Sequence, residues 1–391
     1  MSRERNRWLV IATFALAGSA NQMLWLTFTP ITTPAAHRYG VSVNDIGWLS
    51  QIFPLLYVAL AVPAATLLDR WFRPALAAGV LLTAVGGVLR LGGETFSWAL
   101  AGQILVAVGQ PLVLNAVAGL ASVYLTRASR PAGIAIGSAG IFLGMLCSLA
   151  LGSALGGDHL HTLLVIDAIY AVVCALALLI ALAATDRPAI TGDVTGVLGL
   201  TTVWQDRGIR RLAAIAFIGF GFFVALTTWL QTLLKPAHIS AAAAGWLLVA
   251  MVVAGVVGAA LLPAPIIRAR RDRQLFRLAA IVTSGACVLF ASWKSVPAIG
   301  VGIALSGFLM LACLPVILEI AERRAGSAGI SATALIWLSG NAGGIVIALL
   351  VQTVVHQPLI AFLLLAAISV GVLAVVPRSA PQGAEYGEQL A

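Results

Sequence analysis

Residues 47–73, GWLSQIFPLLYVALAVPAATLLDRWFR, have a partner of equal length at residues 245–271, GWLLVAMVVAGVVGAALLPAPIIRARR. Each opens on Gly-Trp-Leu, runs through an apolar stretch and closes on arginines, Arg70 and Arg73 in the first, Arg268 and Arg271 in the second. An α-helix needs about 20 residues to cross about 30 Å of hydrocarbon. A tryptophan at one end suits the interface, and arginines at the other mark the side that retains positive charge. Both copies therefore read as membrane helices of the same orientation, and the rest of the chain follows from them.

Composition agrees. The 391 residues are 61% hydrophobic and only 9% charged, against roughly 25% charged in soluble domains, and the mean hydropathy is +1.02. A soluble enzyme, a disordered chain and a secreted disulfide scaffold are excluded, because so few polar residues cannot build a water-facing surface. An outer-membrane barrel would alternate apolar and polar residues. Apolar runs give twelve spans, near 8–31, 46–68, 75–93, 98–125, 131–156, 162–184, 212–234, 242–267, 276–293, 296–320, 327–353 and 357–377, with a short hairpin at Trp293, Lys294 and Ser295 between two of them. With the N-terminus inside, all but four of the 23 basic residues fall on cytoplasmic loops, the exceptions being Arg38, Arg90, Lys235 and Lys294. An error in the count would invert that bias downstream, so both termini are expected in the cytoplasm. The net charge of +9 is thus a topology signal, scattered in small groups, and no nucleic-acid surface is expected. Arg3 to Arg7 before Ala15-Leu16-Ala17 has the look of a cleaved signal peptide, but the apolar run continues to Ile31, so retention is expected. Cys147, Cys174, Cys287 and Cys313 all fall inside spans, so no disulfide, metal or cofactor framework is expected.

The repeat extends beyond the opening pair. At an offset of 204, Arg7, Ile11, Ala12 and Trp25 meet Arg211, Ile215, Ala216 and Trp229; at 196, Arg127, Ala132-Gly133-Ile134 and Gly144 meet Arg323, Ala328-Gly329-Ile330 and Gly340. Six spans per half give the halves one orientation, which resembles the major facilitator arrangement. The expected organisation is an all-α membrane protein with a six-helix bundle at 1–184, a cytoplasmic linker at 185–210, a second six-helix bundle at 211–377 and a cytoplasmic tail at 378–391. The linker segment from Val194 to Trp204 reads as a short interfacial helix. Asp69-Arg70 followed by Arg73 resembles a shortened form of that superfamily's loop between spans two and three, which makes Asp69, Arg70 and Arg73 gating candidates. Glu319 and Arg323 form a second candidate gate or capping pair. The small residues Gly133, Gly137, Gly140 and Gly144 on span five, and Gly255 with Gly258 on span eight, read as close-packing surfaces between the halves.

Polar side chains in hydrocarbon need a partner or a cavity. Asn21 and Trp25 lie one turn apart on span one, as do Trp337 and Asn341 on span eleven; Gln103 and Gln110 share a face of span four, and Gln51 and Gln231 complete the substrate-site candidates. Amides and aromatic faces with almost no charge suit a small organic cation, and a flat heteroaromatic nearly as well. Asp167, inside span six, is the candidate for proton coupling, set against a satisfied interhelical carboxylate. Arg90, at a span end, is expected to snorkel toward water.

The run Asn21, Trp25, Tyr39-Gly40-Val41-Ser42, Ile46, Trp48-Leu49-Ser50, Tyr57, Pro63 and Leu67-Leu68-Asp69 resembles the feline leukaemia virus subgroup C receptor family of major facilitators. Gly102-Gln103 with Gln110, and Asn341 before Gly343-Gly344, continue the similarity, which covers the first five spans well and the second half in places. That family is associated with choline and ethanolamine transport and was earlier described with haem. The resemblance implies a cation-π contact from Trp25, a cavity lined by Asn21, Gln110 and Asn341, and Gln231 on the facing wall. Where the family carries a span-seven tyrosine that completes the cage, this chain aligns Val224, leaving Phe223, Trp229 or Trp337 to substitute.

The expectation is a monomeric, non-enzymatic transporter in the inner (plasma) membrane that moves a choline- or ethanolamine-like solute by alternating access and facilitated diffusion, its partners being that small molecule and the lipid bilayer. The alternatives are a haem or porphyrin exporter, a proton-coupled multidrug or metabolite antiporter and a non-transporting membrane sensor.

Overall fold

The computed structural model describes residues 2–126, 128–155, 159–185, 196–292 and 295–376, and the regular structure in them is helical throughout. The N-terminal helices are α1 (Ser2–Leu26), α2 (Thr32–Tyr39), α3 (Val43–Leu89), α4 (Phe96–Leu114), α5 (Ala116–Tyr124), α6 (Arg130–Leu155) and α7 (Leu160–Ala183). After α8 (Gly196–Gln205) come α9 (Arg207–Leu234), α10 (Ala241–Leu261), α11 (Pro263–Arg268) and α12 (Asp272–Ser292). The last three are α13 (Val296–Ala325), α14 (Gly329–Thr353) and α15 (Pro358–Val375). Among the described residues, eleven helices are long and apolar enough to cross a membrane. Helices are the expected answer, since in hydrocarbon every backbone N–H must find its acceptor within the segment. On α7, Ile169, Val173, Leu176 and Ile180 form an exposed stripe while Asp167, Ala171, Cys174 and Leu178 are buried. A helix whose outer face is wholly apolar has lipid as its solvent.

The second and third expected spans run together in α3. Its 47 residues would rise about 70 Å, more than twice the hydrocarbon thickness. Ser42 starts it with a capping box, accepting from the Asp45 amide while Asp45 accepts from Ser42. Trp71 leaves helical geometry at φ −139° and ψ 61°, three residues before Pro74, whose ring clashes with the preceding turn and whose missing N–H frees a carbonyl there. Two other expected spans are interrupted. The fourth pauses between α4 and α5 at Asn115, whose side chain is drawn to α3, donating to the Ala61 carbonyl and accepting from the Tyr57 hydroxyl. The eighth divides into α10 and α11 where Pro263 and Pro265 remove two helical donors.

Of the linker, residues 186–195 lie outside the described set, as do Arg127, the Trp293 and Lys294 hairpin and the tail from 377; the short helix expected there is α8, with Val203 buried and Trp204 exposed.

The span-five glycines correct one expectation. They do not sit between the halves. A Cβ at Gly140 or Gly144 would fall on the Ala15 or Ser19 carbonyl of α1, Gly137 faces Val117 of α5, and Gly133 faces Ala121 of α5 and Leu125 just beyond it. The second half repeats the device, Gly343 of α14 pressing on the Phe217 carbonyl of α9. Gly255 and Gly258 of α10 likewise meet Leu311 and Phe308 of α13, again inside one half. The reason is geometric: backbone-to-backbone approach fixes a pair of helices, whereas contacts between halves run through α3 against α14 and α6 against α10.

Candidate functional site

Aromatic rings from both halves meet in the interior. Trp25 of α1 stacks on Phe220 of α9, centroids 6.4 Å apart and planes at 28°, and Phe53 of α3 lies behind it at 6.1 Å. Phe220 also stacks on Phe223 at 5.9 Å and meets the Trp337 ring of α14 edge-on at 5.8 Å. Tyr57 of α3 approaches Trp337 at 6.5 Å, so two ring pairs bridge the halves. Trp25 is held by its own polar atom, Nε1 donating to the Ser50 carbonyl at 2.9 Å. That leaves its face for packing.

The polar candidates divide by what already occupies them. Asn21 donates to Thr83 Oγ1 and the Val106 carbonyl and accepts from Gln22. Gln103 donates to the Leu24 and Leu49 carbonyls and accepts from Arg90. Both tie α1 to its neighbours. Asn341 donates to the Trp337 carbonyl one turn back, and Gln51 is half-buried on α3. Gln110, 2% exposed, keeps a side-chain carbonyl without a partner, as do the Gln22 carbonyl and the Trp337 indole N–H. The side chain of Gln231 lies outside the described set.

Arg90 does not snorkel. Its side chain is fully buried, with NH2 3.0 Å from Asp167 Oδ2 and NH1 donating to Thr27 and to Gln103. Asp167 also accepts from Thr27 at 2.5 Å. The candidate proton carrier is thus the partner of a buried cation, and Gln103, which Arg90 also meets, donates to the carbonyl of Leu24 beside Trp25 in the chain. A buried guanidinium persists only with such a counter-charge, which overrides the tendency of arginine to reach water.

The gating candidates gather at the arginine-rich end. Ser331 of α14 donates to Asp69 Oδ2 across the halves at 3.2 Å. Arg70 lies over the Trp71 ring, while Arg73 donates to the Tyr124 hydroxyl and the Thr185 carbonyl. Glu319 pairs with Arg323 on its own helix. A second crossing contact joins Arg130 of α6 to Glu322 of α13 at 3.1 Å. Sequence reading passed over this pair, although Glu322 follows Glu319 by one turn in a helix otherwise free of acids before Glu319.

A sequence profile of the Major Facilitator Superfamily matches residues 13–349. The chain belongs to the major facilitator superfamily. It is therefore a multi-pass membrane transporter rather than an enzyme. Solute carrier family 49 member A3 of Danio rerio is 29% identical over 380 residues, 90% of this chain and 80% of that one. The choline/ethanolamine transporter FLVCR2 of Homo sapiens is 32% identical over 124 residues, 31% of this chain and 24% of that protein. The family resemblance read from Asn21 to Asp69 is thus present over about a third of the chain. Among solved structures, the superfamily transporter FucP in its outward conformation superposes with a TM-score of 0.74 at 16% identity, covering 95% of this chain and 97% of that one. The human organic anion transporter MFSD10 does so at 0.73 and 15%, covering 96% and 99%. Both likenesses concern the fold alone.

Within the superfamily frame, the aligned Val224 is buried against Gly344 of α14 and offers no ring. Trp229 is also engaged, its indole N–H donating to the Ala348 carbonyl. The ring facing Trp25 is Phe220, one turn before Val224 on the same helix face. The signal was in the sequence as Phe220-Gly221-Phe222-Phe223, a run of aromatics at mid-span.

Proposed function

We propose that this chain is a twelve-span facilitator, with both termini cytoplasmic and bundles at 1–184 and 211–377, that carries a small organic cation of the choline or ethanolamine kind by facilitated diffusion as a monomer in the plasma membrane. The observation that carries the substrate class is the ring cluster of Trp25, Phe220, Phe223 and Trp337 between the halves. No charged side chain belongs to that cluster, so an ammonium would be held by ring faces and by the free carbonyl of Gln110. The FLVCR2 stretch supports the same class. The break of α3 at Trp71 supports reading eleven apolar helices as twelve crossings. Pairing of Asp167 with Arg90 supports uniport over proton antiport, because the carboxylate already has a fixed counter-charge. Asp69, Arg70, Arg73, Glu319 and Arg323, with Arg130 and Glu322, make the gate at the arginine-rich end.

The test is a thermal-shift titration of purified protein with choline and ethanolamine, repeated with Trp25→Ala. A ligand that binds only the folded state raises the melting temperature by mass action. A saturable shift in the wild type that Trp25→Ala removes supports the site. A shift with haem or a heterocycle and none with either amine overturns it.

A further inference from the structure

A partly open cavity of about 60 Å³ is lined by α9, α12, α13, α14 and α15, with Phe142 of α6 reaching it from the first half. It adjoins the contact between the halves, and Phe220, Phe223 and Trp337 belong to both. One water needs about 10–15 Å³ on a comparable measure, so the space holds several waters or one ring-sized molecule. The walls are aromatic and aliphatic, including Phe223, Phe276 and Met310.

Three lining side chains break that apolar pattern. Thr283 of α12, Ser369 of α15 and Trp337 of α14 are each at most 2% exposed, and Thr283 Oγ1, Ser369 Oγ and Trp337 Nε1 all lack a hydrogen-bond partner. Leaving a buried polar group unpaired costs about 1–3 kcal/mol, so three on one cavity mark a place where partners belong. The indole N–H can only donate, and the two hydroxyls can donate as well. No charged side chain lines the space, and an ion there would have no counter-charge to offset its desolvation.

We infer that this cavity is a binding site for a small neutral ring compound carrying a carbonyl or ether oxygen, adjoining the cation site between the halves and sharing Phe220, Phe223 and Trp337 with it. The rings of the ligand pack on the aromatic wall, and its oxygen accepts from the Thr283 and Ser369 hydroxyls. Because Phe220 and Trp337 also contact Trp25 and Tyr57 of the other half, occupancy favours the arrangement in which those rings are joined. The site is a modulator site, and it stands whether or not the transported solute is a cation.

The experiment is ligand-observed ¹⁹F NMR on the full chain in nanodiscs, comparing 4-fluoroacetophenone with 4-fluoroethylbenzene and subtracting empty nanodiscs. The expected result is saturable binding of the ketone, tighter than the hydrocarbon. The double variant Thr283→Val with Ser369→Ala should weaken the ketone roughly tenfold while leaving the hydrocarbon unchanged, the effect of removing two hydrogen bonds of ordinary strength. Equal affinity for the two compounds, or a ketone indifferent to the double variant, overturns the assignment. So does a ketone signal no larger than in empty nanodiscs, which would leave the cavity to water. If the double variant fails to fold, Ser369→Ala alone and the wild-type ratio of ketone to hydrocarbon still decide the matter.

Discussion

Replacing Asp167 by leucine should strand a cation in the protein interior. In the native fold the Arg90 guanidinium, with no exposed side-chain surface, has the Asp167 carboxylate at 3.0 Å and only neutral dipoles, Thr27 Oγ1 and Gln103 Oε1, as its other side-chain partners. At an effective dielectric near 20, unit charges at about 4 Å attract by about 4 kcal/mol. Breaking buried pairs by removing one partner costs about 3–5 kcal/mol. Asp167→Leu should therefore lose about that much, seen as a fall in melting temperature on the order of 5 °C or more by intrinsic fluorescence of the purified protein. The control is the double variant Asp167→Leu with Arg90→Met, which removes both charges and keeps the bulk. It should regain most of the loss, since paired buried charges exchanged for apolar groups are often neutral or stabilising. If the double variant is no more stable than Asp167→Leu, or the single variant melts like the wild type, the pair is not what holds these helices together.

Three further outcomes follow from the geometry. Gly144→Ala and Gly343→Ala place a Cβ on the Ser19 and Phe217 carbonyls and should each destabilise by about 1–3 kcal/mol, whereas Gly47→Ala, which meets nothing within 4 Å, should leave the melting temperature unchanged. Charge reversal at Arg130 or Glu322 alone should raise solvent access to a cysteine placed at Gly119, which lies against Ile330 across the halves; exchanging both charges should restore protection from maleimide labelling. At Asp206, burial opposes the charge, but donors from the Ile209 and Gly208 amides and the Arg324 guanidinium outweigh it and hold the carboxyl below its ordinary value. With the folded value depressed, its stabilisation is present above about pH 3.9 and lost as pH falls through the folded value; Asp206→Asn should flatten that acid limb, by no more than about 1 kcal/mol because the pair is a third exposed.

What the sequence made readable was whatever depends on one helix at a time. Apolar runs placed the membrane-length helices, and the Gly47-Trp48-Leu49 repeat marked α3 and α10 as counterparts. Arginine placement gave the end where Asp69 and Glu319 gather. Side-chain destinations that depend on two helices were less readable. Arg90 looked like an interfacial cation because its partner Asp167 is 77 residues away. The glycines of span five announced close packing but not against which helix. At the ring cluster, alignment pointed to Val224, yet the ring that meets Trp25 hangs from Phe220, one turn earlier, since the reach of a phenylalanine decides contact as much as its position. Asn21 and Gln103 were legible as polar residues that need partners, but only the fold says that those partners are α1, α3 and α4 backbone and side-chain groups.

The glycine contacts also say where this molecule can give. Inside each half, the glycines of the tightest helix pairs meet main chain: Gly144 on Ser19, Gly343 on Phe217, Gly307 on Met251. Across the halves, among the described residues, glycine meets side chains, Gly119 on Ile330 and Gly245 on Ser153. Main chain pressed on main chain cannot slide without breaking helical geometry, whereas side-chain tips can change rotamer. The first kind of contact is a weld and the second a bearing, so any movement of one half against the other would run along α3 with α14 and α6 with α10.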